Sequence, residues 1–123
     1  MAQRIIVLVE DEVDLVEILT PILNRDGFEV AALEDGETAF QYIETQPPPN
    51  LVLIDIMLPY HDGYEIIAKI RASATWSKVP VIFLTAKSQG KDIARAFDLG
   101  ADDYVVKPFQ SLDLIARIKR LVK

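Results

Sequence analysis

Five short apolar runs alternate with amphipathic stretches along the chain, and that alternation permits few architectures. Residues 5–9, 51–54 and 79–84 are almost entirely Val, Ile, Leu and Phe, the pattern of strands covered on both faces. Pro80 stands at the start of its run, where no ladder N–H is required. The run 28–33 includes Glu29 and the run 104–106 is short, so both suit the edges of a sheet. Between the runs, apolar residues recur at helical spacing. They are Leu15, Val16, Leu19, Ile22 and Leu23 first, then Phe40 and Ile43 in 38–45, and Ile66, Ile67 and Ile70 in 64–71. Ala94 and Phe97 mark 90–99, and Leu114, Ile115, Ile118 and Leu121 mark 112–122. Asp26-Gly27 ends the first helix with the residue best able to adopt positive φ. Pro21 is expected to kink or divide that helix. Pro47-Pro48-Pro49 stops the second. Strands alternating with helices imply βαβ units and a parallel α/β sheet, with right-handed crossovers placing helices on both faces. With 123 residues, half of them apolar, and no repeat or linker, a single domain over 1–123 is expected.

The polar residues that close these runs are the informative ones. Glu10 and Asp11 follow Val9, Asp55 follows Ile54, Thr85 follows Leu84, and Lys107 follows Val106 with Pro108 behind it. In a parallel sheet all these tips gather at one edge, and ligands bind outside the carboxyl ends of the strands where the winding reverses. In the flavodoxin-like strand order 2-1-3-4-5, an order known from such folds rather than read from these residues, the reversal lies between strands one and three. Glu10, Asp11 and Asp55 end those two strands.

Three adjacent carboxylates repel one another, and a divalent cation removes the conflict. The chain has no Cys and a single His, so oxygen-only ligation points to Mg²⁺ or Mn²⁺ rather than zinc. Asp11 and Asp55 are assigned as direct ligands, Glu10 as a ligand through water, and the backbone carbonyl of Met57 as a further one. A carboxylate beside such an ion is also a nucleophile for phosphoryl groups. Lys107 offers a compact positive charge, and Thr85 a hydroxyl that can donate to a phosphoryl oxygen.

In these motifs the chain resembles a response-regulator receiver domain of two-component signalling, over essentially its whole length. Val9-Glu10-Asp11 is similar to the acidic pair, and Asp55-Ile56-Met57-Leu58-Pro59 with Asp62-Gly63 to the phosphoacceptor strand and loop. Leu84-Thr85-Ala86 resembles the switch hydroxyl segment, and Gly100 to Tyr104 through Lys107-Pro108-Phe109 the last strand and its lysine. The resemblance implies a flavodoxin-like (CheY-like) sheet of five strands with five helices. It also implies Mg²⁺-dependent phosphorylation of Asp55 by a sensor histidine kinase, with Thr85 moving toward the phosphoryl group and Tyr104 turning inward. A cis Lys107-Pro108 bond is implied as well. The domain would catalyse its own phosphorylation and slow dephosphorylation without being a turnover enzyme.

Within receivers the chain looks most like the class that precedes a winged-helix DNA-binding domain. That class implies homodimerisation through the fourth helix, fifth strand and fifth helix by intermolecular salt bridges, for which Asp98, Asp102, Asp103 and Arg117 match. Ile93 and Leu112 depart from the pattern and favour an apolar contact there. The formal charge of −6 argues against direct binding of nucleic acid or an anionic membrane. No apolar run reaches the ~20 residues of a membrane span, and a cytoplasmic location is expected.

Plainer readings stand beside these. Glu10-Asp11 can cap the first helix, Thr85 can be a helix-leading hydroxyl, Asp102-Asp103 a solvated turn, and Tyr104 a packed aromatic. His61 reads as an exposed loop residue rather than a ligand, and Trp76 as cover for the edge of the core. The main rival function is a pseudo-receiver, an interaction module that is not phosphorylated. A Mg²⁺-dependent phosphohydrolase would want a second carboxylate where Met57 stands. A nucleotide- or flavin-binding protein would want glycines where Glu10-Asp11-Glu12 stands.

Overall fold

The computed structural model describes residues 4–122. Strands and helices alternate without exception: β1 (Arg4–Val9), α1 (Val13–Arg25), β2 (Phe28–Leu33), α2 (Gly36–Thr45), β3 (Leu51–Ile54), α3 (Gly63–Ala72), β4 (Val81–Thr85), α4 (Gly90–Asp98), β5 (Asp103–Val106) and α5 (Ser111–Leu121). The five strands form one parallel sheet in the order β2-β1-β3-β4-β5, so the two runs expected at the edges are there.

Alternate residues of the central strands feed two cores. Val7, Val9, Val52, Ile54, Val81 and Phe83 face α2, α3 and α4, meeting Ile43, Ile66, Ile67, Ile70 and Ala96. Ile6, Leu8, Leu51, Leu53, Ile82 and Leu84 face α1 and α5, meeting Leu19, Leu23, Leu114, Ile115 and Ile118. Both faces of β1, β3 and β4 are therefore covered, which is why these runs are apolar without a break.

Two expectations need correction, those for Trp76 and for α4. Pro21 lies inside α1 without dividing it. Beside it, Thr20 Oγ1 donates to the Val16 carbonyl at 2.7 Å. Trp76 does not cover the edge of the core but is 1% exposed within it, with Nε1 donating to the Gln46 carbonyl at 3.0 Å. In α4 the inward residue is Ala96, while Ala94 and Phe97 point outward. Ile93, Ala96 and Phe97 all fit helical spacing in this nine-residue helix, and packing against the sheet selects Ala96 as the inward one. Gly27 adopts φ +89° past the end of α1, as the turn there requires.

Candidate functional site

Register builds the site. Val9 pairs with Ile54 across β1 and β3, so the next residues, Glu10 and Asp55, emerge side by side, with the Asp55 N–H on the Val9 carbonyl at 3.1 Å. Thr85 pairs with Val106 across β4 and β5, and the Lys107 N–H reaches the Thr85 carbonyl at 2.8 Å. The bond between Lys107 and Pro108 is cis. Glu10 is 3% exposed, Asp55 6% and Thr85 0%, which is exceptional for two carboxylates.

One ammonium holds them together. Lys107 Nζ donates to Glu10 Oε1 at 2.6 Å, to Asp55 Oδ2 at 3.0 Å and to Glu12 Oε1 at 3.2 Å. Carboxylate oxygens of Glu10, Asp11 and Asp55 all lie within 4.8 Å of one another. Burial pushes the Glu10 carboxyl up from 4.5 to about 7; the Lys107 bond opposes this and the Asp55 charge adds to it. Burial pulls the Lys107 ammonium down, yet its bonds to Glu10 and Asp55 carry it above the ordinary lysine range. These two directions compete across a single pair. Lys107 stays charged, while burial beside Asp55 makes the Glu10 carboxyl easier to protonate than an ordinary glutamate.

The loops complete the edge. The Met57 N–H donates to Asp55 Oδ1 at 3.3 Å, and the Met57 side chain is exposed. Thr85 Oγ1 accepts from the Lys87 N–H at 3.4 Å. Tyr104 lies opposite Phe83 in the ladder, half-buried, with its hydroxyl on the Lys87 carbonyl at 2.8 Å. Burial pushes that phenol up to about 12, so it remains a donor. Gly63 is needed for close approach, because a Cβ there would run into the Asp55 carbonyl and sit 2.8 Å from Ile56 Cα. A cleft of about 570 Å³ runs from Asp11 past Met57 and Asp62 to Lys87 and Arg95.

The structure thus brings Glu10, Asp11, Asp55 and Lys107 together and sets Thr85 and Tyr104 on the adjoining strands. The capping role considered for Glu10-Asp11 is minor: the N-cap of α1 is Glu12, without a side-chain cap bond. The interface residues fare differently. Asp102, expected to reach another chain or to sit in a solvated turn, accepts from the Val81 N–H at 2.8 Å and from Arg71 at 3.1 Å. Asp103 is buried and accepts from Arg117 at 3.0 Å, with Arg120 3.5 Å away. Asp102 and Asp103 each have an ion partner within the chain, Asp102 in Arg71 of α3 and Asp103 in Arg117 of α5. Asp98 and Leu112 are exposed, Leu112 at 86%, and Ile93 is half-buried.

Glu12 was missed as a partner of Lys107, although the acidic run Glu10-Asp11-Glu12 was its signal. His61 is half-buried rather than exposed. Its ring stacks on Phe40 at 3.8 Å and Nδ1 meets Glu65 at 3.1 Å. Tyr60, just before it, adopts φ +73°, a strained conformation for a non-glycine residue. No spacing rule would have disclosed it.

Comparison with known proteins agrees with this geometry. The family model for the response regulator receiver domain matches residues 6–119. The chain is 41% identical over 119 residues to the DNA-binding response regulator MtrA of Mycolicibacterium smegmatis, covering 97% of this chain and 50% of MtrA. It is 38% identical over 123 residues to the phosphate regulon transcriptional regulatory protein PhoB of Klebsiella pneumoniae, covering 100% of this chain and 53% of PhoB. The chain therefore spans about half the length of these curated relatives. Among solved structures it resembles the receiver domain of a sensor histidine kinase from Pseudomonas aeruginosa, crystallised with magnesium coordinated in its active site cleft. That likeness has 32% identity and a TM-score of 0.88, and covers 98% of each chain.

Proposed function

The chain belongs to the response regulator receiver domain family, and from that premise we propose that Asp55 accepts a phosphoryl group from a sensor histidine kinase. The observation that carries this reading is the shared hold of Lys107 on the buried Glu10 and Asp55. A buried carboxylate is costly unless it is partnered, and here the partner leaves one Asp55 oxygen, Oδ1, facing only a 3.3 Å backbone N–H.

The donor set suits a hard divalent cation, since it consists of carboxylate oxygens alone and contains neither sulfur nor imidazole. Asp11 and Asp55 would hold Mg²⁺ or Mn²⁺ directly, with Glu10 through water and the Met57 carbonyl as a further ligand. When bound, the ion supplies charge neutralisation for the phosphoryl oxygens. The rest belongs to the chain. An Asp55 carboxylate oxygen attacks phosphorus, and an O–P bond forms as the N–P bond of a phosphohistidine breaks. The departing imidazole nitrogen keeps the electron pair. Lys107, already ionised and within 3.0 Å of Asp55, offers positive charge to the new acyl phosphate. Thr85, at the end of the next strand, offers its hydroxyl, and Tyr104 carries the change to the loop that begins at Lys87. Hydrolysis by water returns Asp55 and releases phosphate, so the domain modifies itself without turning over a substrate.

The relatives are named as DNA-binding and transcriptional regulators, which supports an output in transcription, at a cytoplasmic location, through DNA contacts this acidic domain does not itself make. Homodimerisation through α4, β5 and α5 would draw on Ile93, Asp98, Asp102, Asp103, Leu112 and Arg117; Asp102 and Arg117 stay partly exposed beside their intrachain partners. No helix among the described residues is long and apolar enough to cross a membrane.

The test is intact mass after incubation with acetyl phosphate, with and without Mg²⁺, beside Asp55→Asn. A gain of one phosphoryl group that needs Mg²⁺ and vanishes in the variant is expected. Labelling that persists in the variant would overturn the assignment. No gain from acetyl phosphate or from a histidine kinase panel would leave the pseudo-receiver reading in its place.

A further inference from the structure

The side chain of Tyr64 joins the Asp55 segment to α4. Tyr64 occupies the first turn of α3 and is almost wholly buried. Its backbone is fastened to the phosphoacceptor strand, since the preceding Gly63 N–H donates to the Ile56 carbonyl at 2.8 Å and Gly63 is pressed against Asp55. Its side chain reaches the other way. The hydroxyl donates to the backbone carbonyl of Asp92 at 3.3 Å and lies 3.4 Å from Asp92 Oδ1. The Arg95 guanidinium stands 4.0 Å above its ring, an attractive cation–π arrangement. Burial, then the Asp92 carboxylate, pushes the Tyr64 phenol up, so it keeps the proton it donates.

The helix it holds has little else. Only Ala96 of α4 is fully buried, and its N-cap, Gln89, makes no side-chain cap bond. An element with so few buried contacts opens easily, and individual ties then decide where it rests. Tyr64 and Tyr104 also stand at either end of one aromatic row, each ring centroid 6.0 Å from that of Phe83. Tyr104 pins the loop before α4 at Lys87, and Tyr64 pins the first turn of α4 at Asp92.

We propose that Tyr64 is a positioning residue that couples the backbone at Asp55 and Ile56 directly to the first turn of α4, as a second route beside Thr85 and Tyr104. In its response to phosphorylation the inference rests on the reading of Asp55 as phosphoacceptor; the tie itself does not. A shift of the Asp55 peptide moves Gly63 and Tyr64 with it, and the Asp92 end of α4 follows. Arg95 rides on the same ring, so the second turn is drawn along.

The experiment uses Tyr64→Phe, which keeps the ring against Phe83 and beneath Arg95 and removes only the hydroxyl. Amide hydrogen exchange in the unphosphorylated protein should rise about fivefold at Ile93, Ala94 and Arg95, the loss of one neutral hydrogen bond. Amides in β3 and α5 should not change. In Tyr104→Phe the rise should fall instead on residues 86–89. After acetyl phosphate treatment Tyr64→Phe should gain the same mass as wild type, while the phosphorylation-induced amide shifts at 90–95 shrink and those at 85–89 remain. Unchanged exchange at 90–95, exchange raised equally across the chain, or undiminished shifts at 90–95 would each overturn the proposal. Absence of mass gain in wild type with acetyl phosphate and with a histidine kinase panel would instead overturn the phosphoacceptor reading and leave the exchange comparison to decide the tie.

Discussion

Two cations anchor opposite ends of the sheet, and their surroundings differ. At the carboxyl ends, Lys107 pairs with Glu10, Glu12 and Asp55, and Asp11 adds a fourth carboxylate beside Glu10 and Asp55. At the amino ends of β4 and β5, Arg71 donates to the carbonyls of Ser77, Val79 and Gly100 and pairs with the single carboxylate of Asp102. The planar guanidinium meets several acceptors in fixed directions, and its charge is matched one to one. The Arg71 end is chemically closed. The Lys107 end keeps surplus negative charge in a buried place, and that surplus is what a metal ion and a phosphoryl group can use. Adding up contacts would rate the two ends alike, whereas charge balance separates a joint from a site.

Exchanging the roles of these cations by mutation tests that difference. The largest effect on stability is expected from Arg71→Ala, which strips partners from several carbonyls at once and should cost about 2–4 kcal/mol. Urea unfolding reads the loss, and Mg²⁺-dependent phosphorylation should survive in the folded fraction. Lys107→Ala should do the reverse. Its fold should persist because Glu10 can take up a proton, and Mg²⁺ affinity by calorimetry should be equal or a few-fold tighter, since a competing cation is gone. The spectral response of α4 and α5 to phosphorylation should be lost; a wild-type response in this variant would remove Lys107 from the switch.

An effect of similar size is expected from pH. Glu10 titrates near 4.5 when unfolded and near 7 when folded, so between those values the folded chain binds more protons. Stability of the metal-free protein therefore falls as pH rises from about 4.5 to about 7, while Mg²⁺ affinity rises over the same window as the proton leaves. Glu10→Gln should flatten the stability profile, and an unchanged slope would show that the charge lies elsewhere in the cluster. The smallest effect belongs to Glu12→Gln. Glu12 is exposed and makes one 3.2 Å contact, so its replacement should alter stability by less than about 0.5 kcal/mol.

The Lys107 end was legible in the sequence and the Arg71 end was not. Polar residues that terminate apolar runs announce themselves, because a buried strand has no structural use for a charge at its tip. Arg71 carries no such mark. It reads as one more cation on a helix, and its acceptors are carbonyls at positions 77, 79 and 100 that any residue would supply. Asp102, Asp103 and Arg117 were visible as charges, but nothing in their spacing says that α5 brings Arg117 within 3.0 Å of Asp103.

By itself the sequence determined the alternation of strand and helix, the two edge strands, and the residues whose chemistry meets at the carboxyl ends. These follow from local periodicity and from the rule that parallel strands all point one way. Tertiary structure alone decided the rotation of α4, the burial of Trp76, the strained turn at Tyr60, the intrachain pairing of Asp103, and the reach of Tyr64 to Asp92. Each depends on distances between elements far apart in the chain. The packing of whole helices against the sheet sets such distances, and no local pattern of residues encodes them.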